Sequence, residues 1–161
     1  MEQERKKNPE DRKKNFFEKT RFDAKAQETI QQIERSLQDS IESVTVQDLN
    51  SFQRKLIHEH FEKSQEYKIK TYRENDNVTM RVYPVGKLRR LAELKAQEVL
   101  IKGETEVLPP MGSFERFIIH DYLKDRDGLR TESFGEGRER HIEINPLFGR
   151  SPKKIKKRLT R

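Results

Sequence analysis

Apolar positions along this chain fall into two successive series, each predicting two helices and a hairpin. From Asp23 to about Glu42, Ala26, Ile30, Ile33, Leu37 and Ile41 recur every three or four residues, the period of an amphipathic helix. A second helix starts near Asn50 and gathers Phe52, Leu56, Ile57 and Phe61 on one side. Tyr67 to Arg73 and Val78 to Tyr83 are β-rich and alternating, and Glu74-Asn75-Asp76-Asn77 between them predicts a hairpin. The series then begins again. Leu88, Leu91, Leu94, Ala96 and Val99 or Leu100 form a helical stripe from Lys87 to Ile101 that stops at Gly103, where a left-handed cap is easy. Val107-Leu108-Pro109-Pro110 is a short extended stretch leading into a helix from Gly112 to about Lys124, and Gly128 closes that helix. Leu129 to Phe134 and Arg140 to Ile144 pair across Gly135-Glu136-Gly137.

The two series are in register at an offset of 62 residues. Ser51-Phe52-Gln53-Arg54-Lys55-Leu56-Ile57-His58 aligns with Ser113-Phe114-Glu115-Arg116-Phe117-Ile118-Ile119-His120, and the match persists to Pro84 over Pro146. Each copy carries Arg-x-x-x-His, which places the two side chains on one helix face. At about 100° per residue, Arg116 with His120, and Arg54 with His58, fall just past the edge of the apolar half of their helices. A permanently charged guanidinium beside an easily charged imidazole, on the rim of a core, makes an anion-binding pair. All seven glycines lie beyond Val85, so the first copy is expected to lack the backbone freedom of the second.

Composition changes the picture in two ways. An apolar share of 31% against 39% charged residues supports only modest cores, so two small units with solvated helix surfaces are expected in place of one large domain. The formal net charge of +7 equals the seven Lys and Arg residues between Leu147 and Arg161, a stretch without acids, so the rest of the chain balances. Residues 1–22 read as a disordered mixed-charge arm, and 147–161 as a basic tail whose Lys153, Lys154, Lys156, Lys157 and Arg158 would attract a polyanion in a salt-sensitive way. No apolar run is long enough to span a membrane, and no secretory signal opens the sequence. The absence of cysteine fits a cytoplasmic setting, and in a eukaryote the tail would also fit a nuclear import signal.

The second half also resembles a known family. Val107-Leu108-Pro109-Pro110-Met111, Glu115-Arg116 with His120, Gly128-Leu129, Ser133-Phe134-Gly135-Glu136-Gly137 and Arg140-His141-Ile142-Glu143-Ile144 look like the R-three-H domain, named for its Arg-x-x-x-His. With the helix before it, this stretch is similar to the C-terminal domain of bacterial Jag-type RNA-binding proteins. The resemblance covers roughly residues 85–146. It implies a small α+β domain, two helices on one side of a three-stranded sheet, that binds single-stranded nucleic acid without catalysis. Jag-type proteins place a KH domain before it, yet residues 23–84 contain no Gly-x-x-Gly loop and instead hold a divergent copy of the same unit, with Arg73 and Asn75 at the glycine positions and Gln47-Asp48 in place of the double proline.

The expected fold is therefore α+β, with two tandem units at 23–84 and 85–146. Arg116, His120, Ser133, Gly135, Gly137, Arg138 and Arg140 are the expected nucleic-acid contacts in the second unit, with Arg54 and His58 as secondary candidates. Phosphate gripping would set affinity, and bases stacking on faces such as Phe134 or Tyr72 would set a weak sequence preference. The structural alternative is that Arg116 pairs with Glu115, Asp121 or Glu136. No cofactor or metal is expected, since His60 and His141 lack partners at ligand spacing. An enzymatic reading would have His120 act on a phosphate ester, and would need a carboxylate or metal partner that the sequence does not identify. The partner expected is single-stranded RNA or DNA, or a ribonucleoprotein. The rival is a protein-interaction adaptor whose basic tail grips an acidic partner. The sequence does not specify an oligomeric state.

Overall fold

The computed structural model of the chain describes residues 23–75 and 77–147, so the expected arm, and the expected tail beyond Leu147, lie outside the described residues. The described residues form an α+β fold with four α-helices and two three-stranded antiparallel sheets. They divide into two compact units. The first comprises residues 23–40, 44–64 and 69–82, and the second comprises 41–43, 65–68 and 83–147.

In the first unit, helix α1 (Ala24–Gln38) starts where the Asp23 carboxylate accepts the Ala26 N–H at 2.9 Å. Strand β1 (Val44–Val46) precedes helix α2 (Ser51–Glu62), which opens on a reciprocal cap. The Asn50 side chain accepts the Gln53 N–H at 2.9 Å, and the Gln53 side chain accepts the Asn50 N–H at 3.1 Å. Strands β2 (Lys68–Glu74) and β3 (Asn77–Tyr83) follow, and β3 lies in the centre of the sheet order β1-β3-β2. Ile33 and Leu37 of α1, Ile57 and Phe61 of α2, and the alternate residues Met80 and Val82 of β3 are all fully buried, the pattern of helices covering one face of a sheet.

The second unit has the same order of elements. Helix α3 (Val85–Lys102) ends at Gly103, whose left-handed φ of 68° lets its N–H return to the Val99 carbonyl at 2.8 Å. Strand β4 (Glu106–Val107), helix α4 (Ser113–Leu123), strand β5 (Leu129–Phe134) and strand β6 (His141–Pro146) complete it, with β6 central in the order β4-β6-β5. Its core joins Leu88, Ala92, Ala96 and Val99 of α3 to Ile118, Ile119 and Leu123 of α4 over Ile142 and Ile144 of β6. The central strands keep one register: Val44 pairs with Val82 and Thr45 with Arg81, while Glu106 pairs with Ile144 and Val107 with Glu143, each 62 residues further on.

Three local expectations differ from what forms. Helix α1 stops at Gln38 and not near Glu42; Ile41, which continues its apolar spacing, is instead packed against the core of the second unit. The connection between β5 and β6 includes a short 3-10 segment, Gly137–Glu139, and β6 starts at His141, one residue later than expected. The first unit is not wholly without the glycines' freedom either. Asn75 takes a left-handed φ of 53°, the value found at Gly137 62 residues later, which asparagine tolerates better than most side chains.

Because Ile119 is fully buried and Phe117 on the same helix is 58% exposed, Ile119→Ala is expected to cost about 2–5 kcal/mol in urea unfolding, and Phe117→Ala roughly 1 kcal/mol or less.

Candidate nucleic-acid interface

Arg116 and His120 stand one turn apart on α4, both half-buried at the rim of the core. The Arg116 Nη1 donates to the Met111 carbonyl at 2.6 Å. Met111 is itself fastened to the residue that leads into the central strand, since its N–H donates to the Arg140 carbonyl at 3.0 Å, while that of Leu108 donates to Ile142 of β6 at 2.9 Å. One guanidinium nitrogen thus holds the helix to the segment that continues the β4 edge past the two prolines. Among the described residues no carboxylate forms an ion pair with Arg116. Glu115 is buried and its carboxylate accepts the Ser43 hydroxyl at 2.7 Å, and Asp121 pairs with Lys124 at 2.9 Å.

His120 is bound at both ends of its ring. Nδ1 lies 2.6 Å from the Thr131 hydroxyl and Nε2 lies 2.9 Å from the Ser133 hydroxyl. Thr131 and Ser133, two apart on β5, share a strand face with buried Leu129, so the inward face of this edge strand turns from apolar to hydroxyl as it leaves the core. A neutral imidazole offers one donor and one acceptor, and hydroxyls can serve as either, so both contacts are satisfied without charge. Burial, and secondarily the positive charge of Arg116, push the His120 pKa below its ordinary value of 6.5. The easily charged imidazole expected from spacing is therefore a neutral clasp between helix and edge strand.

The remaining sequence candidates distribute unevenly. Ser133 is in the clasp. Gly135 has a left-handed φ of 83°, and a Cβ there would come within 2.8 Å of the Glu139 carbonyl oxygen, so the space beside it is filled by the hairpin's own backbone. Gly137, Arg138 and Arg140 are exposed, and neither arginine forms an ion pair among the described residues. Lys153, Lys154, Lys156, Lys157 and Arg158 lie outside the described residues. Two participants were not anticipated: the Thr131 hydroxyl and the Met111 carbonyl. Strand alternation could have flagged Thr131, two positions before Ser133, whereas a backbone acceptor leaves no trace in side-chain chemistry.

In the first unit Arg54 donates through Nη1 to the Leu49 carbonyl, five residues back as in Arg116 and Met111, and through Nη2 to the Ser51 hydroxyl at 3.1 Å. His58 places Nε2 at 3.1 Å from the Thr71 hydroxyl, thirteen residues on as in His120 and Ser133. Its Nδ1 meets Glu62 of its own helix at 3.3 Å in place of a second strand hydroxyl. Among the described residues, no group of three or more His, Cys, Asp or Glu side chains is arranged to hold a metal ion.

Two comparisons with known proteins bear on this site. Residues 86–146 match the R-three-H domain family. Over 57 residues the chain is 46% identical to the RNA-binding protein KhpB of Lactiplantibacillus plantarum, a stretch that covers 35% of this chain and 17% of that protein's length.

His120→Ala removes two hydrogen bonds and is expected to destabilise the protein by about 1–3 kcal/mol in urea unfolding. The pH dependence has a definite sign. With its pKa lower folded than unfolded, His120 contributes fully above about 6.5. That contribution declines as pH falls from there toward the folded value, because the unfolded chain takes up the proton first. Equilibrium unfolding of the wild type should show this acid-side loss, and His120→Gln should shrink it.

Proposed function

We propose that the second unit is a non-enzymatic binding module for single-stranded nucleic acid, most directly RNA, and that Arg116 grips the phosphate backbone. One observation carries the reading: Arg116 is a half-buried guanidinium anchored by one nitrogen to a backbone carbonyl, with no carboxylate partner among the described residues. A fixed, uncompensated guanidinium retains donors for a phosphate, and its anchoring lowers the entropy lost on binding. The R-three-H match and the likeness to an RNA-binding protein support the same ligand class. His120 serves this site by position, holding the edge strand against α4 and fixing the Ser133 hydroxyl beside it. Arg138 and Arg140 widen the cationic surface, and the basic residues from Lys153 to Arg158 add salt-sensitive attraction for the polyanion. Residues 23–84 are a divergent copy of the same unit, a reading supported by the common strand register and by the equivalent anchoring of Arg54 and His58.

Fluorescence anisotropy of a short single-stranded RNA across a salt series tests this. Arg116→Ala should weaken binding about tenfold and reduce the salt slope by about 0.7, the amount expected for one neutralised phosphate on a single strand. A chain ending at Pro146 should keep specific binding with a flatter slope. Unchanged binding by Arg116→Ala, with complete loss on truncation, would instead point to a tail-driven polyanion binder or an adaptor.

A further inference from the structure

We propose that the first unit holds a separate nucleobase pocket, in which one unpaired base of a single-stranded nucleic acid stacks on Tyr72. The inference rests on the reading that this protein binds such a strand, and adds a site outside the stretch matched to the R-three-H family. A cleft of about 390 Å³ opens between the connection from β1 to α2, Arg54 of α2, and the hairpin end of β2 and β3. That volume lies within the range of about 300–1,000 Å³ typical of small-ligand clefts.

Its lining chemistry suits a base better than a phosphate. Tyr72 lies in the wall and is 41% exposed. Strand parity sets it on the face of β2 opposite buried Ile69. The Arg81 guanidinium sits 5.6 Å from the Tyr72 ring centroid while its Nε donates to Thr45 at 3.1 Å, so a fixed cation braces the ring. The cleft lining sets the cation of Arg54 against two acids, Asp48 and Glu74, and Lys25 donates to the Asp48 carbonyl at 2.8 Å, so these charges balance and leave no excess of cations to draw a phosphate in. The same carboxylates accept N–H groups from a base edge, and the amides of Gln47 and Asn77 can both donate and accept. Asp48 holds a left-handed φ of 57°, which aspartate tolerates better than most side chains and which fixes the turn that forms this wall of the cleft. Sixty-two residues further on, Pro109 and Pro110 take the places of Gln47 and Asp48, so the second unit lacks these polar groups. The sugar-phosphate chain can remain outside the cleft, near Lys68 and Lys70, which share the Tyr72 face of β2.

Two-dimensional amide NMR of the full chain, titrated with a short single-stranded RNA of mixed sequence, reads the two units separately. The proposal expects shifts at Tyr72, Asn77 and Gln47 as well as around Arg116. Tyr72→Ala should lose about tenfold in affinity with an unchanged salt slope, because stacking releases no counterions, and Tyr72→Phe should bind nearly as the wild type. Shifts confined to the surroundings of Arg116, or equal losses in both Tyr72 variants, would overturn the pocket while leaving the proposed function standing. No shift anywhere would overturn both.

Discussion

The joint between helix α4 and edge strand β5 governs the second unit's candidate site. A strand at the border of a sheet has one neighbour, and among the described residues β5 pairs with β6 alone. Its inward face supplies Leu129 to the core and then two hydroxyls, Thr131 and Ser133, which an apolar helix side could not satisfy. His120 meets both with one neutral ring. That requirement explains why the imidazole sits at the rim: deeper, it would displace core volume, and further out it would not reach the strand. It also sets the electrostatics. Burial and the neighbouring guanidinium both disfavour a proton on the ring, which leaves Arg116 as the positive group of the pair.

Arginine and histidine in this motif thus divide the labour by chemistry. The guanidinium cannot be deprotonated and has several donors in a rigid fork, so it can spend one on the Met111 carbonyl and keep others facing outward. The imidazole has two nitrogens and both are used. The first unit keeps the same logic with altered partners: Arg54 is tied to Leu49, and His58 reaches Thr71 and then its own helix at Glu62. Around these side chains the two units differ, with Gln47 and Asp48 in the first where Pro109 and Pro110 stand 62 residues later in the second.

Much of the layout was legible in the sequence because it depends on long, periodic segments. The helical stripes of α3 and α4, the left-handed cap at Gly103 and the two hairpins follow from spacing and turn chemistry. Strand β4 is two residues long and β1 three, too short for alternation to register. Periodicity overruns the end of α1 because it cannot tell which core an apolar residue serves, and Ile41 belongs to the second unit. Arg116 and His120 were legible as neighbours, since four-residue spacing fixes that. Their separate roles were not, because the partners of each come from β5 and from a backbone carbonyl, whose approach is decided by tertiary packing.

The most direct test of this division of labour is nitrogen-15 NMR of the His120 ring, titrated with pH in the presence and absence of a short single-stranded RNA. The account predicts a neutral imidazole that protonates only below the ordinary value of 6.5 and keeps both hydroxyl contacts when RNA binds. A ring that titrates at or above that value, and whose nitrogen shifts move strongly on adding RNA, would show that His120 itself meets the phosphate and would contradict the clasp.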